Sequence, residues 1–248
     1  MKINSNNSQL LVNKIFLVAC LLLNCFVIFG ITNGEKPRTN DSITKTYRGI
    51  DISHYNGNEV VELDESDSLT FIICKATQGK SLVDQKFTTN WNTIKQKGML
   101  LGTYHFYSVD EDPIVQATHY FNTVSALGKT DLPFVVDIEQ GSIPKGYKVN
   151  VKQLQTDLLK FISVIESKSN RTPMIYTCTG FSNQYLNNKA FAKYPLWLAE
   201  YTNAPKPKLP ATWIKTGWRI WQKSQNYYIN SKPTDYDIYV GSLQELCK

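Results

Sequence analysis

The sequence predicts an α/β fold whose mainly parallel sheet closes into a barrel, and three observations predict it. Short apolar runs alternate with segments of helical periodicity, the pattern of strands joined by helices. Eight such runs can be counted, the number at which a parallel sheet closes on itself. Helical segments then thin out in the last third of the chain, so the barrel is expected to lose its helices there. The 248 residues are 42% hydrophobic, enough for one sizeable core.

The first strand is expected at residues 48–52, where Asp51 closes an apolar run ahead of a Ser-His-Tyr-Asn-Gly turn. Residues 69–75 form the second, ending on Lys75 and followed by Thr77, Gln78 and Gly79. Phe87, Trp91 and Ile94 then fall on one helical face, and Gly98 suits the left-handed C-terminal cap of that helix. The third strand is residues 100–106. Asp112 and Pro113 fit the N-cap and first position of a helix that turns Ile114, Ala117, Phe121 and Val124 inward and ends at Gly128. Residues 132–139 make the fourth strand. Asn150 caps a helix that buries Val151, Leu154, Leu158, Phe161 and Ile165. Residues 173–178 give the fifth strand, with a short helical piece after it. Residues 194–200, 218–222 and 235–239 read as three more strands with little room for helices between them, and a short helix over 242–247 closes the chain.

Ahead of the barrel, residues 15–31 are apolar apart from Asn24, Cys25 and Gly30, and they follow Lys2 and Lys14. Residues 1–31 therefore read as a secretory signal peptide or, if uncleaved, a signal anchor, because the run lies at the edge of bilayer-spanning length. A lipoprotein cleavage box ending at Cys20 ranks third. Residues 32–46 are a polar linker, and residues 47–248 are the domain. The protein is thus expected to be secreted or held in the cell envelope, touching a membrane only through its N-terminal segment.

Net charge is +6, half of it from residues 1–40, where Lys2, Lys14, Lys36 and Arg38 are offset only by Glu35. The mildly basic remainder suits an anionic polymer but falls short of the dense patch that nucleic acid needs. Cys74, Cys178 and Cys247 are an odd number, so at most one disulfide can join them. Neither they nor His54, His105 and His119 have metal-ligand spacing. No metal or cofactor is expected, and the domain is expected to act as a monomer. His105 reads as a supporting hydrogen-bonder, and His119 as a surface or packing residue.

The stretch richest in chemistry is residues 132–139, Leu-Pro-Phe-Val-Val-Asp-Ile-Glu. Side chains alternate along a strand, so Asp137 and Glu139 share a face with Cα atoms about 6.6 Å apart. Repulsion lets one of two such acids hold its proton near neutral pH, the equipment of a glycosidase. Two solvated acids capping a strand would look the same, so the other strand ends must decide. They carry Asp51, Lys75, Tyr104, Tyr176, Tyr201 and Gln222, and barrel chemistry sits at those C-terminal ends. Tyr104, Tyr176, Trp197 and Tyr201 suit packing on the apolar faces of sugars.

Together these residues resemble the Chalaropsis-type lysozymes of glycoside hydrolase family 25, over essentially all of residues 47–248. The opening Gly49-Ile50-Asp51-Ile52-Ser53-His54 looks like that family's first motif. Lys75-Ala76-Thr77-Gln78-Gly79 and Gly102-Thr103-Tyr104-His105-Phe106 are similar to the next two. Asp137-Ile138-Glu139 matches the paired acids. Ile175-Tyr176-Thr177, Leu196-Trp197-Leu198-Ala199 and Trp221-Gln222 match later strand ends, and the closing motif runs from Asp235 to Leu243. The resemblance implies an irregular TIM-like barrel, (β/α)5(β)3. It also implies hydrolysis of the bond from N-acetylmuramic acid to N-acetylglucosamine in bacterial peptidoglycan. Glu139 would be the general acid and Asp137 its charged partner, with Asp51 and Asp235 as further carboxylates. Counting back from Gly241 favours Asp235 over Asp237. Lys75, Tyr104, Tyr176, Trp197, Tyr201 and Gln222 would bind substrate. Asp137 as nucleophile, and Asp137 as stabiliser of the substrate's own acetamido group, both stay open.

Three positions depart from the family. Gln78 stands where Glu is usual, Tyr55-Asn56 where Trp-Gln is commoner, and Tyr239 where Phe is usual. None of them touches the proposed acid. A chitinase of the Asp-x-x-Asp-x-Asp-x-Glu kind would need acids where Leu132 and Val135 stand. A non-catalytic wall-binding relative would be expected to lose one of the four carboxylates, and all four are present.

Overall fold

Successive side chains of a strand face opposite ways, and in this chain that alternation separates two cores. The computed structural model describes residues 45–63, 67–229 and 232–248. The expected signal segment, residues 1–31, and residues 32–44 of the expected linker lie outside the described residues. In chain order the elements are β1 (Lys45–Ile52), α1 (Glu59–Glu62), β2 (Phe71–Gln78), β3 (Leu82–Val83), α2 (Phe87–Gln96), β4 (Leu100–Phe106), α3 (Pro113–Ser125), β5 (Phe134–Asp137), α4 (Val151–Ser169), β6 (Met174–Cys178), α5 (Thr179–Tyr185), β7 (Leu196–Ala199), β8 (Ile220–Ile229), β9 (Lys232–Gly241) and α6 (Leu243–Leu246).

The ring runs β1–β2–β4–β5–β6–β7–β8–β9 and returns to β1, closing a barrel of eight strands. Its pairings are parallel from β1 round to β8, and β9 lies antiparallel to both neighbours. The short β3 folds back on the end of β2, outside the ring. Five of the ring strands are each followed by an α-helix before the next, and β7, β8 and β9 are not. The expected (β/α)5(β)3 arrangement is therefore the one found.

In β2, Phe71 and Ile73 belong to the core inside the barrel, with Val135, Met174, Trp197 and Ile220. Ile72, Cys74 and Ala76 belong to the core between sheet and helices, with Leu158, Phe161 and Ile165 of α4. Both faces are buried, as parallel strands require. Cys74 is fully buried, Cys178 and Cys247 are half-buried, and all three are free thiols.

Several boundaries differ from expectation. β1 starts at Lys45, inside the expected linker, because residues 45–47 pair with residues 239–241 of β9. β8 runs on to Ile229 instead of ending at Gln222, since it forms a long hairpin with β9. On α3 the inward face is Gln116, Ala117, Tyr120 and Val124, while Ile114 is 51% exposed and Phe121 half-buried. Apolar periodicity pointed to Ile114 because Gln116 and Tyr120 are polar. Their bonds make burial tolerable. Gln116 binds Ser108 and the carbonyl of Glu111, and the Tyr120 hydroxyl donates to the Thr103 carbonyl. The caps at Asp112 and Asn150 form as expected, accepting backbone N–H groups of Ile114, Val115 and Gln153.

Gly49, on the inward stripe of β1, lies against the fully buried ring of Phe71, and a Cβ there would overlap that ring. Gly49→Ala should therefore cost about 1–3 kcal/mol through overpacking. A urea titration would read it as a lower midpoint at unchanged slope. An unchanged midpoint would mean that the ring moves aside freely.

Candidate active site

The inward stripe that is apolar at one end of the barrel turns polar at the other. Parallel strands bring Asp51, Lys75, Tyr104, Asp137, Tyr176 and Trp197 to one rim, and the antiparallel β9 brings Asp235 there near its start. These residues, with Ser53, Tyr55, Phe106 and Glu139, line a cleft of about 170 Å³. Asp51 stands directly opposite Asp235 in the β1–β9 ladder, and Gly49 opposite Asp237.

β5 is shorter than expected and stops at Asp137. Ile138 still donates its N–H to Tyr176, and Glu139 is extended, at φ −149° and ψ −172°. The extended backbone keeps Glu139 on the face of Asp137 although it has left the strand. A turn fixes it there: its N–H donates to the Ser142 hydroxyl at 3.1 Å, and its carbonyl accepts the Ser142 N–H at 3.0 Å. Asp137 is buried, with Oδ1 lacking a hydrogen-bond partner among the described residues, whereas Glu139 is half-buried at the cleft.

Gln222 organises the opposite wall. Its Nε2 donates to Asp51 Oδ2 at 2.7 Å, while its Oε1 accepts from the hydroxyls of Tyr176 at 2.9 Å and Tyr201 at 2.8 Å. Gln222 is 1% exposed, so it holds other groups and offers little surface of its own. Trp197 is equally buried and donates from Nε1 to Asp237 Oδ1 at 2.8 Å, with its ring edge-on to Tyr104 and Tyr176. Tyr201, half exposed, also lines a separate groove of about 740 Å³ with Asn203, Lys223, Asn226 and Tyr236. The carboxylates line the smaller cleft, which makes it the candidate site.

The electrostatics follow from burial. Asp51 is pushed well above the usual carboxylate range by burial, then by the charges of Asp237 and Asp235. Asp137 is likewise pushed well up by burial and by Glu139, against the pull of Lys75. Burial raises Glu139 too, and Lys75 again opposes it. Asp235 is raised to about 6 by burial and Glu139, and Asp237 to about 7, chiefly by burial. Burial lowers Lys75, while Asp137, Asp84 and Glu139 hold it up.

The cleft thus gathers Glu139, Asp137, Asp51, Asp235, Lys75, Tyr104, Tyr176 and Trp197 from the expected set, and Gln222 and Tyr201 stand beside it. Asp235 lines the cleft and Asp237 does not. His105 is buried, bonded to Thr77 and Gln116 and pushed down to about 3 by burial, so it is neutral. His119 lies against the Leu82 carbonyl. Sequence reasoning missed the support of Tyr55: its ring lies 3.9 Å from that of His54, whose Nδ1 is 2.7 Å from buried Asp84. Residue spacing alone could not have paired positions 54 and 84. Among the described residues no group of three or more His, Cys, Asp and Glu side chains is disposed to hold a metal ion.

The sequence matches the family described as Glycosyl hydrolases family 25 over residues 50–232. It is 30% identical over 210 residues to the uncharacterized protein YegX of Escherichia coli K12, covering 81% of this chain and 72% of that one. It is 29% identical over 219 residues to the N,O-diacetylmuramidase of Chalaropsis, covering 81% and 99%. The fold superposes on the crystal structure of a bacterial lysozyme from Streptomyces coelicolor with a TM-score of 0.71 at 26% identity, covering 82% of this chain and 96% of that one.

The raised carboxyls predict a particular pH dependence. A buried acid with a folded pKa near 7 binds a proton that the unfolded chain has already lost above about pH 4, so stability falls as pH rises through that window. Asp237→Asn keeps an acceptor for Trp197 and removes the titration. Its urea midpoint should match or exceed the wild type at pH 7–8 and decline less steeply between about pH 4 and 7. A parallel decline in both proteins would show that Asp237 ionises without cost.

Proposed function

The chain belongs to glycosyl hydrolases family 25 and is a glycoside hydrolase, and on that premise we propose that its cleft cuts the β-1,4 bond between N-acetylmuramic acid and N-acetylglucosamine in peptidoglycan. The observation that carries this reading is the carboxyl pair at the end of β5, one member buried and one at the cleft surface. Residues 1–31 are read as the export segment and the barrel as the catalytic domain, working outside the cell or in the envelope.

In the proposed reaction Glu139 gives its proton to the glycosidic oxygen as the bond from C1 breaks. The Asp137 carboxylate faces the positive charge that develops at C1, either attacking it or steadying the substrate's acetamido oxygen as that attacks. Water then adds its hydroxyl to C1 and returns a proton to Glu139. Burial supports these roles, since it raises both carboxyls and so favours their protonated forms. Lys75, which lines the same cleft, limits how far both carboxyls rise.

Asp51 is held by Gln222 and Asp235 faces it across the β1–β9 ladder, so the two form the far wall. Tyr104, Tyr176 and Tyr201 present ring surface to sugar, while Trp197 and Gln222 act from behind by fixing Asp237, Asp51 and the tyrosine hydroxyls. Tyr55, 86% exposed, adds a further ring at the mouth.

Wild type and Glu139→Gln should be incubated with bacterial peptidoglycan, and the new reducing ends reduced and identified. Wild type is expected to leave muramitol ends, and the variant to be slower by about 10²–10⁴, the usual contribution of a general acid. Glucosaminitol ends would mean that the other bond is cut. An absence of new ends with the protein still pelleting on the wall would make it a wall-binding protein.

A further inference from the structure

Among the described residues that line the cleft Lys75 is the sole cation, and its own hydrogen-bond partner carries no charge. Its Nζ donates to Gln78 Oε1 at 2.7 Å and lies 4.9 Å from the centroid of the Phe106 ring. In a regular strand residues three apart face opposite ways, so this bond needs an irregularity. The β2–β4 ladder supplies one, pairing Lys75 with Tyr104 but Thr77 with His105, which leaves Ala76 as an extra residue. Such bulges re-aim side chains beside active sites. Beyond it, Thr77 turns outward to His105 at 2.8 Å and Gln78 comes back to the side of Lys75.

We propose that Gln78 is a positioning residue that holds Lys75 in the cleft it lines with Asp137 and Glu139 while leaving its positive charge uncancelled, so that a neutral amide at position 78 sets the pH range in which the pair works. The proposal rests on the catalytic reading of that pair. A carboxylate at the same place would close an ion pair with Lys75 and cancel most of its field at the pair.

The other charged and titratable groups around Lys75 are accounted for. Asp84, after β3, acts on Lys75, but its oxygens accept from His54 and from the N–H of Lys86. Glu111, from the turn before α3, accepts the Lys80 N–H beyond Gly79. Asp51, Asp235 and the phenols of Tyr55, Tyr104 and Tyr176 share the cleft, His105 beside it is neutral, and among the described lining residues Lys75 alone brings positive charge. Burial raises both members of the pair and Lys75 lowers both, so weakening Lys75 must move both upward.

The test is a carboxyl ¹³C NMR titration of Asp137 and Glu139, joined to the pH profile of kcat/KM, in wild type, Gln78→Glu and Gln78→Ala. In Gln78→Glu both titrations, and both limbs of the profile, should move up by about one pH unit, the low end for a nearby charge. Gln78→Ala, which unpins Lys75 without neutralising it, should move them less. Superimposable titrations in wild type and Gln78→Glu would overturn the proposal. So would equal activity losses in both variants with no movement of either carboxyl, since Gln78 would then be a structural part only. The titration needs no turnover, so it stands even if the wild type cuts no peptidoglycan, which would count against the catalytic reading instead.

Discussion

The structure depends on burying several carboxyl groups at one end of a closed barrel. Closure fixes which side chains point inward, and period-two alternation leaves no freedom to turn one away. Asp51, Asp137 and Asp237 are consequently buried, Asp235 and Glu139 stand partly exposed near them, and Lys75 is the one cation among the described residues lining the same space. Buried carboxylates are costly unless paired, so the groups keep protons to higher pH instead. That response costs folding stability at neutral pH, and the two apolar cores must offset it. Overpacking at Gly49 and ionisation at Asp237 therefore draw on one reserve, and they meet where β1 and β9 seal the ring.

Hydrogen bonding decides which acids are fixed and which keep acceptors free. Asp51 is tied to Gln222, and Asp237 to Trp197 through one oxygen. Among the described residues, buried Asp137 Oδ1 has no such partner. An unbonded acceptor inside a protein is held at a cost, which a donor from a bound ligand would repay at Asp137, beside the cleft surface. Gln222 matters here beyond its own contacts. One buried amide joins β8 to Asp51 of β1 and to Tyr176 of β6, so three strand ends move together.

Much of this was legible in the chain. Strand count, helix caps at Asp112 and Asn150, and the loss of helices after β7 follow from local chemistry that needs no partner elsewhere. The cleft was legible for a related reason: strand-end polarity is local, and a barrel sends every strand end to one rim. Other features were not legible because they are decided across the fold. The inward face of α3 is set by bonds from Gln116 and Tyr120 to residues of neighbouring strands and loops. The length of β8 depends on finding β9. The bulge at Ala76 comes from register with β4, so nothing in Lys75-Ala76-Thr77-Gln78 shows that its ends touch. That the Trp197 indole donates to buried Asp237 also depends on bringing β9 within reach of β7, which local sequence does not show.

The acid pair also shows why the order of protonation in the free protein need not be the order used in the reaction. Asp137, the more buried, carries both the larger desolvation cost and the repulsion of its neighbour, so without substrate its carboxyl is held up at least as strongly as that of Glu139. In the proposed reaction the charge that develops on the sugar is positive and lies against Asp137. An opposite charge at that distance lowers a carboxyl strongly, and the cleft, once filled, excludes the water that would screen it. In that proposed reaction Asp137 is the member that ionises, and Glu139 is the one that carries a proton to the leaving oxygen. On the proposed reading the depth difference along β5 divides the roles, the buried acid answering to the charge of the transition state and the half-buried one to the bond being broken.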